Sequence, residues 1–211
     1  MIEIEMKNIY ELGAEFFRWE FATAIAGFVL DVQPFDQPNV ESAKIAARAM
    51  MKEYQEKGKL PELKTENDES SISSFLSDTK SNKSYVAIQA YLKPDEKNLA
   101  AASAIEIKNL QKYKVATTLG YGPRFLHSTG QLHKGDSGNG FFIQFISDIQ
   151  NDVAIPEEAG NDKSSISFGT LIKTQALGDR QALIDNKRKV LTIDLGKDVL
   201  GSLLSCWFKL R

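Results

Sequence analysis

The sequence predicts an α/β chain in two parts joined by a polar segment. Short apolar runs at 85–92, 115–119, 141–146 and 190–195 have the length of strands, and segments with helical periodicity lie between the outer pairs. Their order is β-α-β-β-α-β. We therefore expect residues 84–211 to form a ferredoxin-like domain.

The pattern of the N-terminal part, residues 1–61, predicts one strand and two helices. Residues 2–6 alternate apolar and charged, as a half-buried strand does. In residues 12–32 apolar side chains occupy all of the helix surface except a narrow polar stripe, so we expect a helix covered by other elements on most sides. A second helix should begin at Pro38 and end near Gly58. So few elements bury too little surface to fold alone, which indicates the tail of a larger α/β unit.

Residues 62–83 are polar and serine-rich, which is typical of a linker. In the C-terminal part, Pro94 opens the first expected helix, which runs to about Lys112. Residues 120–140 should join the two middle strands, and an acidic, disordered-looking loop follows at 147–165. The remaining predicted helices are 168–187 and 199–207.

Composition excludes several classes of protein. The 211 residues carry a formal net charge of -2, so nucleic acid or an anionic membrane is not expected as the main partner. The single cysteine, Cys206, cannot form an intramolecular disulfide and fits a cytoplasmic protein. The longest apolar run, 21–30, is far shorter than the roughly 20 residues that span a bilayer.

The segment Gly120–Gly140 holds both histidines, His127 and His133, with Arg124 and Lys134. Its glycines do not fit the dinucleotide or P-loop patterns, because the third glycine and the P-loop lysine are missing. His-x5-His with one distant cysteine is a poor zinc set, so no metal is expected. Two interpretations remain: a loop that binds a sugar phosphate, or a glycine-rich hairpin whose histidines only make surface hydrogen bonds.

A second cluster is PFDQPNVESAK, residues 34–44. Gln37 at the start of the second helix and Lys44 two turns along can project into one cleft. The alternative is that Lys44 is an ordinary solvated lysine.

These motifs resemble a known family. LGA at 12–14, Glu20, Gly27 and PFDQPNVESAK, with seven positions from glutamine to lysine, resemble the C-terminal signature of glucose-6-phosphate isomerase. Asn39 departs from it, because the family has glycine or alanine there. VAIQAYL, VATTLGYGPRFLHSTGQLHKG and FGTLIKTQALGDRQAL resemble the extra C-terminal region of bifunctional transaldolase/glucose-6-phosphate isomerases.

The resemblance implies an aldose-ketose isomerase of glycolysis and gluconeogenesis that works through an enediolate. Residues 1–61 would end an SIS-type isomerase domain. Lys44 matches the ring-opening lysine and Gln37 the active-site glutamine. His133 is ranked above His127 as the assisting histidine.

Further site candidates are the polar side chains near His133, namely Arg124, Gln131 and Lys134. No carboxylate matches the family's base, and no segment matches its phosphate loop, so the chain alone should be inactive. The resemblance implies a sugar phosphate substrate, no cofactor, upstream isomerase and transaldolase domains as partners, and allows a homodimer. The alternative is a non-catalytic sugar-phosphate-binding or assembly module.

Overall fold

A computed structural model describes residues 3–61, 65 and 69–209, which fall into two compact units that divide between Gln37 and Pro38. The first unit contains α1 (Glu11–Leu30). The second contains α2 (Pro38–Lys57), α3 (Glu69–Ser77), β1 (Tyr85–Tyr91), α4 (Glu96–Tyr113), β2 (Ala116–Tyr121), α5 (Gly130–Gly135), β3 (Gly140–Ile146), β4 (Ala154–Ile155), β5 (Ile166–Ser167), α6 (Phe168–Asp185), β6 (Lys189–Asp194) and α7 (Val199–Lys209). Helix α2 therefore belongs to the same unit as the sheet.

In the first unit the helix is confirmed but the strand is not. Residues 3–6 form no strand and are exposed, because no neighbouring strand pairs with them; position 2 lies outside the described residues. Helix α1 ends at Asp31, whose φ of 54° is left-handed, and Val32 N–H donates to Gly27 O at 3.0 Å.

The burial expected for α1 is not observed. Gly27 is its one buried residue, and its large apolar side chains are exposed, among them Phe17 and Phe28. The helix thus presents apolar surface on most sides. No helix within the described residues, α1 included, is long and apolar enough to cross a membrane.

The second unit is built on a parallel sheet of four strands, in the order β2-β1-β3-β6. Strand β1 pairs with β2 and β3, and β3 pairs with β6, all in parallel. The α/β class is confirmed, but the ferredoxin-like arrangement is wrong, since it requires antiparallel neighbours. Strands β1 and β3 are buried along almost their whole length, as in a sheet covered on both faces.

Helices cover both faces of this sheet. Alternate residues of β1, such as Val86 and Ile88, share a core with α3, α4 and α7. Residues of the opposite face, such as Ala87 and Tyr91, pack towards α6 and the Gly120–Gly140 segment. Helix α2 packs against α6.

Three segments contain more structure than expected. The polar segment 62–83 includes α3, whose Ile72 and Leu76 are buried in the core. Gly120–Gly140 includes a 3-10 turn at Arg124–His127 and helix α5. Within the acidic loop, β4 pairs antiparallel with β5.

Candidate functional site

Small residues set the position of α2 against α6. A Cβ added at Gly178 of α6 would lie 2.7 Å from the backbone nitrogen of Ala47 and 2.8 Å from the carbonyl oxygen of Ala43. Both contacted atoms are backbone, so the helices can approach this closely only with glycine at this position. This contact places Lys44, next to Ala43, at the edge of the α2–α6 interface.

The first turn of α2 is tied to α5. The backbone N–H of Asn39 donates to the side-chain oxygen of Gln131 at 3.0 Å. This satisfies one of the N-terminal donors that a helix leaves unpaired. Gln131, predicted as a substrate contact, thus has a structural partner.

A cavity of about 390 Å³ lies between α2, α6 and the Gly120–Gly140 segment, and both Lys44 and His127 line it. We call it the Lys44 cavity. Lys44 is 54% exposed, and its Nζ lies 3.6 Å from Glu41 Oε2. Glu41 also accepts from Arg48 at 3.2 Å, and Arg48 lines the same cavity. Two cations that line the cavity, Lys44 and Arg48, thus share one carboxylate, that of Glu41.

A buried ion pair lies beneath this cavity. Lys134 Nζ contacts Asp179 Oδ1, and both side chains are almost wholly inaccessible to solvent. Lys134 also donates to Gly130 O at 3.3 Å and lines the cavity. Burial raises the pKa of Asp179, although Lys134 opposes that effect. Burial and the neighbouring Asp179 carboxylate raise the pKa of Tyr91.

His133 occupies a different environment from His127. It is 8% exposed, its ring contacts Phe125 and Phe142, and its Nδ1 lies 3.3 Å from Gln89 Nε2. Burial, followed by the charge of Lys134, lowers the pKa of His133 to about 4. A neutral imidazole at this position can accept a hydrogen bond from the Gln89 amide.

His133 and Gln131 line a second cavity, of about 610 Å³, which Lys44 does not line. Arg124 lines a third, at the carboxyl end of the sheet. Gln37 belongs to the first compact unit, so its role stays a prediction. The structure thus brings together Lys44, His127 and Lys134, and it places the predicted His133 elsewhere.

Asp179 and Arg48 were not predicted from the sequence. Asp179 lies on the apolar side of α6 with the buried residues Ala176, Ala182 and Leu183. A carboxylate within an apolar stripe is rare without a partner, and this was the available signal. Arg48, four residues after Lys44, had no comparable signal. Within the described residues no cluster of three or more histidine, cysteine or acidic side chains could hold a metal ion.

Comparison with known proteins gives partial matches. No family model matches the chain. A stretch of 44 residues, 21% of the chain, is 46% identical to glucose-6-phosphate isomerase of Heliobacterium modesticaldum and spans 10% of that enzyme. The fold resembles a hypothetical protein of Thermus thermophilus with a TM-score of 0.50 and 16% identity, over 61% of this chain and 35% of that one. That second likeness concerns the α/β fold alone.

Proposed function

We propose that this chain is the C-terminal part of a glucose-6-phosphate isomerase of the transaldolase-fused type, in which Lys44 and His127 open the sugar ring. The partial match to an isomerase and the Gln37-to-Lys44 motif support the reaction. The observation that carries the residue assignment is that Lys44 and His127 line one cavity.

The chemistry of ring opening suits this pair of side chains. One group must protonate the ring oxygen while another removes the proton of the anomeric hydroxyl, and an imidazole and an amine can share this work. The volume of the Lys44 cavity, about 390 Å³, is within the range of small-molecule sites. His127 is exposed and open to substrate, whereas His133 is buried against Gln89. The geometry therefore favours His127, reversing the order that the sequence suggested.

The cavity lacks the group for proton transfer between C1 and C2. Among the described residues that line it there is no aspartate or glutamate. Glu41 pairs with Lys44 and Arg48, and Asp179 pairs with Lys134. We infer that the main base comes from another part of the complete enzyme, so these 211 residues alone should be inactive.

The test compares variants in the complete enzyme that contains this region. Lys44→Ala should slow turnover of ring-closed glucose 6-phosphate by about 100-fold or more, and should affect an open-chain substrate much less. Lys52→Ala is the matched control, because Lys52 lies on the same helix, is 77% exposed and pairs with Glu56 at 3.9 Å at the protein surface.

Three results would count against the proposal. Equal losses on ring-closed and open-chain substrates would remove the ring-opening role of Lys44. A larger loss in His133→Gln than in His127→Gln would reassign the histidine. Robust isomerase turnover by the 211-residue chain would refute the claim that its base lies elsewhere.

The exposed α1 favours an additional role in assembly. Large apolar side chains on this helix are solvent-exposed, including Phe16, Trp19 and Phe28, and exposed apolar patches mark interaction surfaces. The chain spans about a tenth of the isomerase it matches. We propose that the rest of the isomerase domain covers α1. Phe28→Glu should weaken the association of α1 with that domain, while the variant stays folded and monomeric. If light scattering instead shows that the chain self-associates through α1, the occupant of this surface is a second copy of the chain.

A further inference from the structure

The order of the strands creates a crevice between β1 and β3. From β1 the chain crosses through α4 to β2 on one side, and from β3 it crosses through α6 to β6 on the other. The connections after β1 and β3 therefore leave their adjacent carboxyl ends in opposite directions. In open parallel sheets, ligands bind at this kind of switch point.

A cavity of about 730 Å³ lies at this point, and we call it the Arg124 cavity. The segment after β1 lines it with Lys93 and Asp95, and the segment after β3 lines it with Ser147 and Asp148. Its volume suits a small molecule. Pro123 lines both this cavity and the Lys44 cavity, so the 3-10 segment lies between the two.

The unpaired charges that line the Arg124 cavity are positive. Lys93, Arg124 and Lys197 come from three different connections and are exposed, and within the described part of the chain none of them has a carboxylate at ion-pair distance. The two lining aspartates are already engaged. Asp95 accepts from the backbone and side-chain nitrogens of Asn98, both at 2.9 Å, and Asp148 pairs with Lys173 at 3.2 Å.

A neutral polar group completes the lining. The hydroxyl of Tyr121 is buried at the end of β2 and has no hydrogen-bond partner among the described residues. A buried hydroxyl without a partner carries a desolvation cost that a ligand can relieve. Lysine and arginine side chains from separate loops converge on anions, and phosphate oxygens accept their charge-assisted hydrogen bonds.

We propose that the Arg124 cavity binds a small phosphorylated molecule, with Lys93, Arg124 and Lys197 around the phosphate and Tyr121 donating to an oxygen of the ligand. This site is separate from the Lys44 cavity and does not depend on isomerase activity.

The test is an NMR titration of the 211-residue chain with inorganic phosphate and with glycerol 3-phosphate, using glycerol as the neutral counterpart. Both phosphates should shift the amide signals of Lys93, Arg124 and Lys197, whereas glycerol should not. Lys93→Gln combined with Lys197→Gln should raise the Kd about tenfold or more. Lys83→Gln is the matched control: Lys83 is also exposed, but it precedes β1 at the opposite edge of the sheet.

Three results would overturn this proposal. The first is an absence of shifts at the crevice. The second is equal weakening by Lys83→Gln, which would indicate unspecific attraction of anions. The third is a set of phosphate-induced amide shifts confined to Lys44 and His127, which would reject this site while leaving the proposed isomerase function intact.

Discussion

The backbone N–H of Asn39 in α2 donates to the side-chain oxygen of Gln131 in α5 at 3.0 Å. The contact joins residues 92 positions apart in sequence. It fixes the start of the helix that carries Lys44 against the segment that carries His127 and Lys134. The position at which the motif departs from the isomerase family is therefore the position where α2 is anchored.

Gln131→Leu should lower the free energy of unfolding by about 1 kcal/mol, because the Asn39 N–H loses its acceptor while the side-chain bulk is retained. Gln131→Glu keeps an acceptor and adds a negative charge near a helix N-terminus, so it should retain stability. Urea denaturation measures both. Leu132→Ala is the control, since Leu132 is 67% exposed; an equal loss in this variant would contradict the anchoring role.

Gly178→Ala should destabilise the second unit by about 1–3 kcal/mol, because the new Cβ would meet backbone atoms of α2. Gly13→Ala makes the same change in the first turn of α1, where nothing lies within 4 Å of the added Cβ, and should be neutral or slightly stabilising. Thermal unfolding compares the two. Signals of Lys44 and His127 should shift in Gly178→Ala only; an unchanged Lys44 environment would show that this contact does not position the cavity.

Much of the fold could be predicted from local patterns, but the direction of the strands could not. Uninterrupted burial of β1 and β3 is typical of central parallel strands, and this signal was present in YVAIQAY and GFFIQFI. The order of the four main strands and of the helices α4, α6 and α7 was predicted correctly. The error lay in treating Gly120–Gly140 as a simple loop, when its helical turns let the chain pass from β2 over β1 and pair with β1 in parallel as β3.

The site was predicted only in part for a similar reason. Lys44 could be proposed as a site residue because its motif is continuous in sequence, and its role stays a prediction. The choice between His127 and His133 depends on how the 3-10 turn and α5 pack beside α2, where Gln131 accepts from Asn39, and no local pattern shows this packing. Asp179 was missed because its partner, Lys134, is 45 residues away.

Lys134→Met should lower the free energy of unfolding by about 3–5 kcal/mol at neutral pH, because Asp179 stays buried without its partner. Burial already raises the pKa of Asp179, and the loss of Lys134 removes the effect that opposes it. The folded variant then binds a proton that the unfolded chain releases, so its deficit should shrink as the pH falls towards about 4.

Two further variants test the Lys134 assignment. Lys134→Met with Asp179→Leu should recover most of the stability, since no charge is left buried alone. Lys173→Met breaks the exposed pair with Asp148, whose side chains are 40% and 47% exposed, and should cost less than about 1 kcal/mol. A similar loss in Lys173→Met and Lys134→Met would contradict the special role of the buried pair.

His133 should make the stability of the protein depend on pH between about 6.5 and 4. Its folded pKa is about 4, lowered from 6.5 chiefly by burial, so between these values the unfolded chain binds a proton that the folded chain does not. The free energy of unfolding should therefore fall as the pH falls, by up to about 3 kcal/mol from this group. His133→Gln should flatten the dependence, and His127→Gln should retain it, because His127 is exposed. NMR titration of the His133 imidazole gives the direct measurement: a ring that titrates near 6.5 would show that the buried environment does not control its charge.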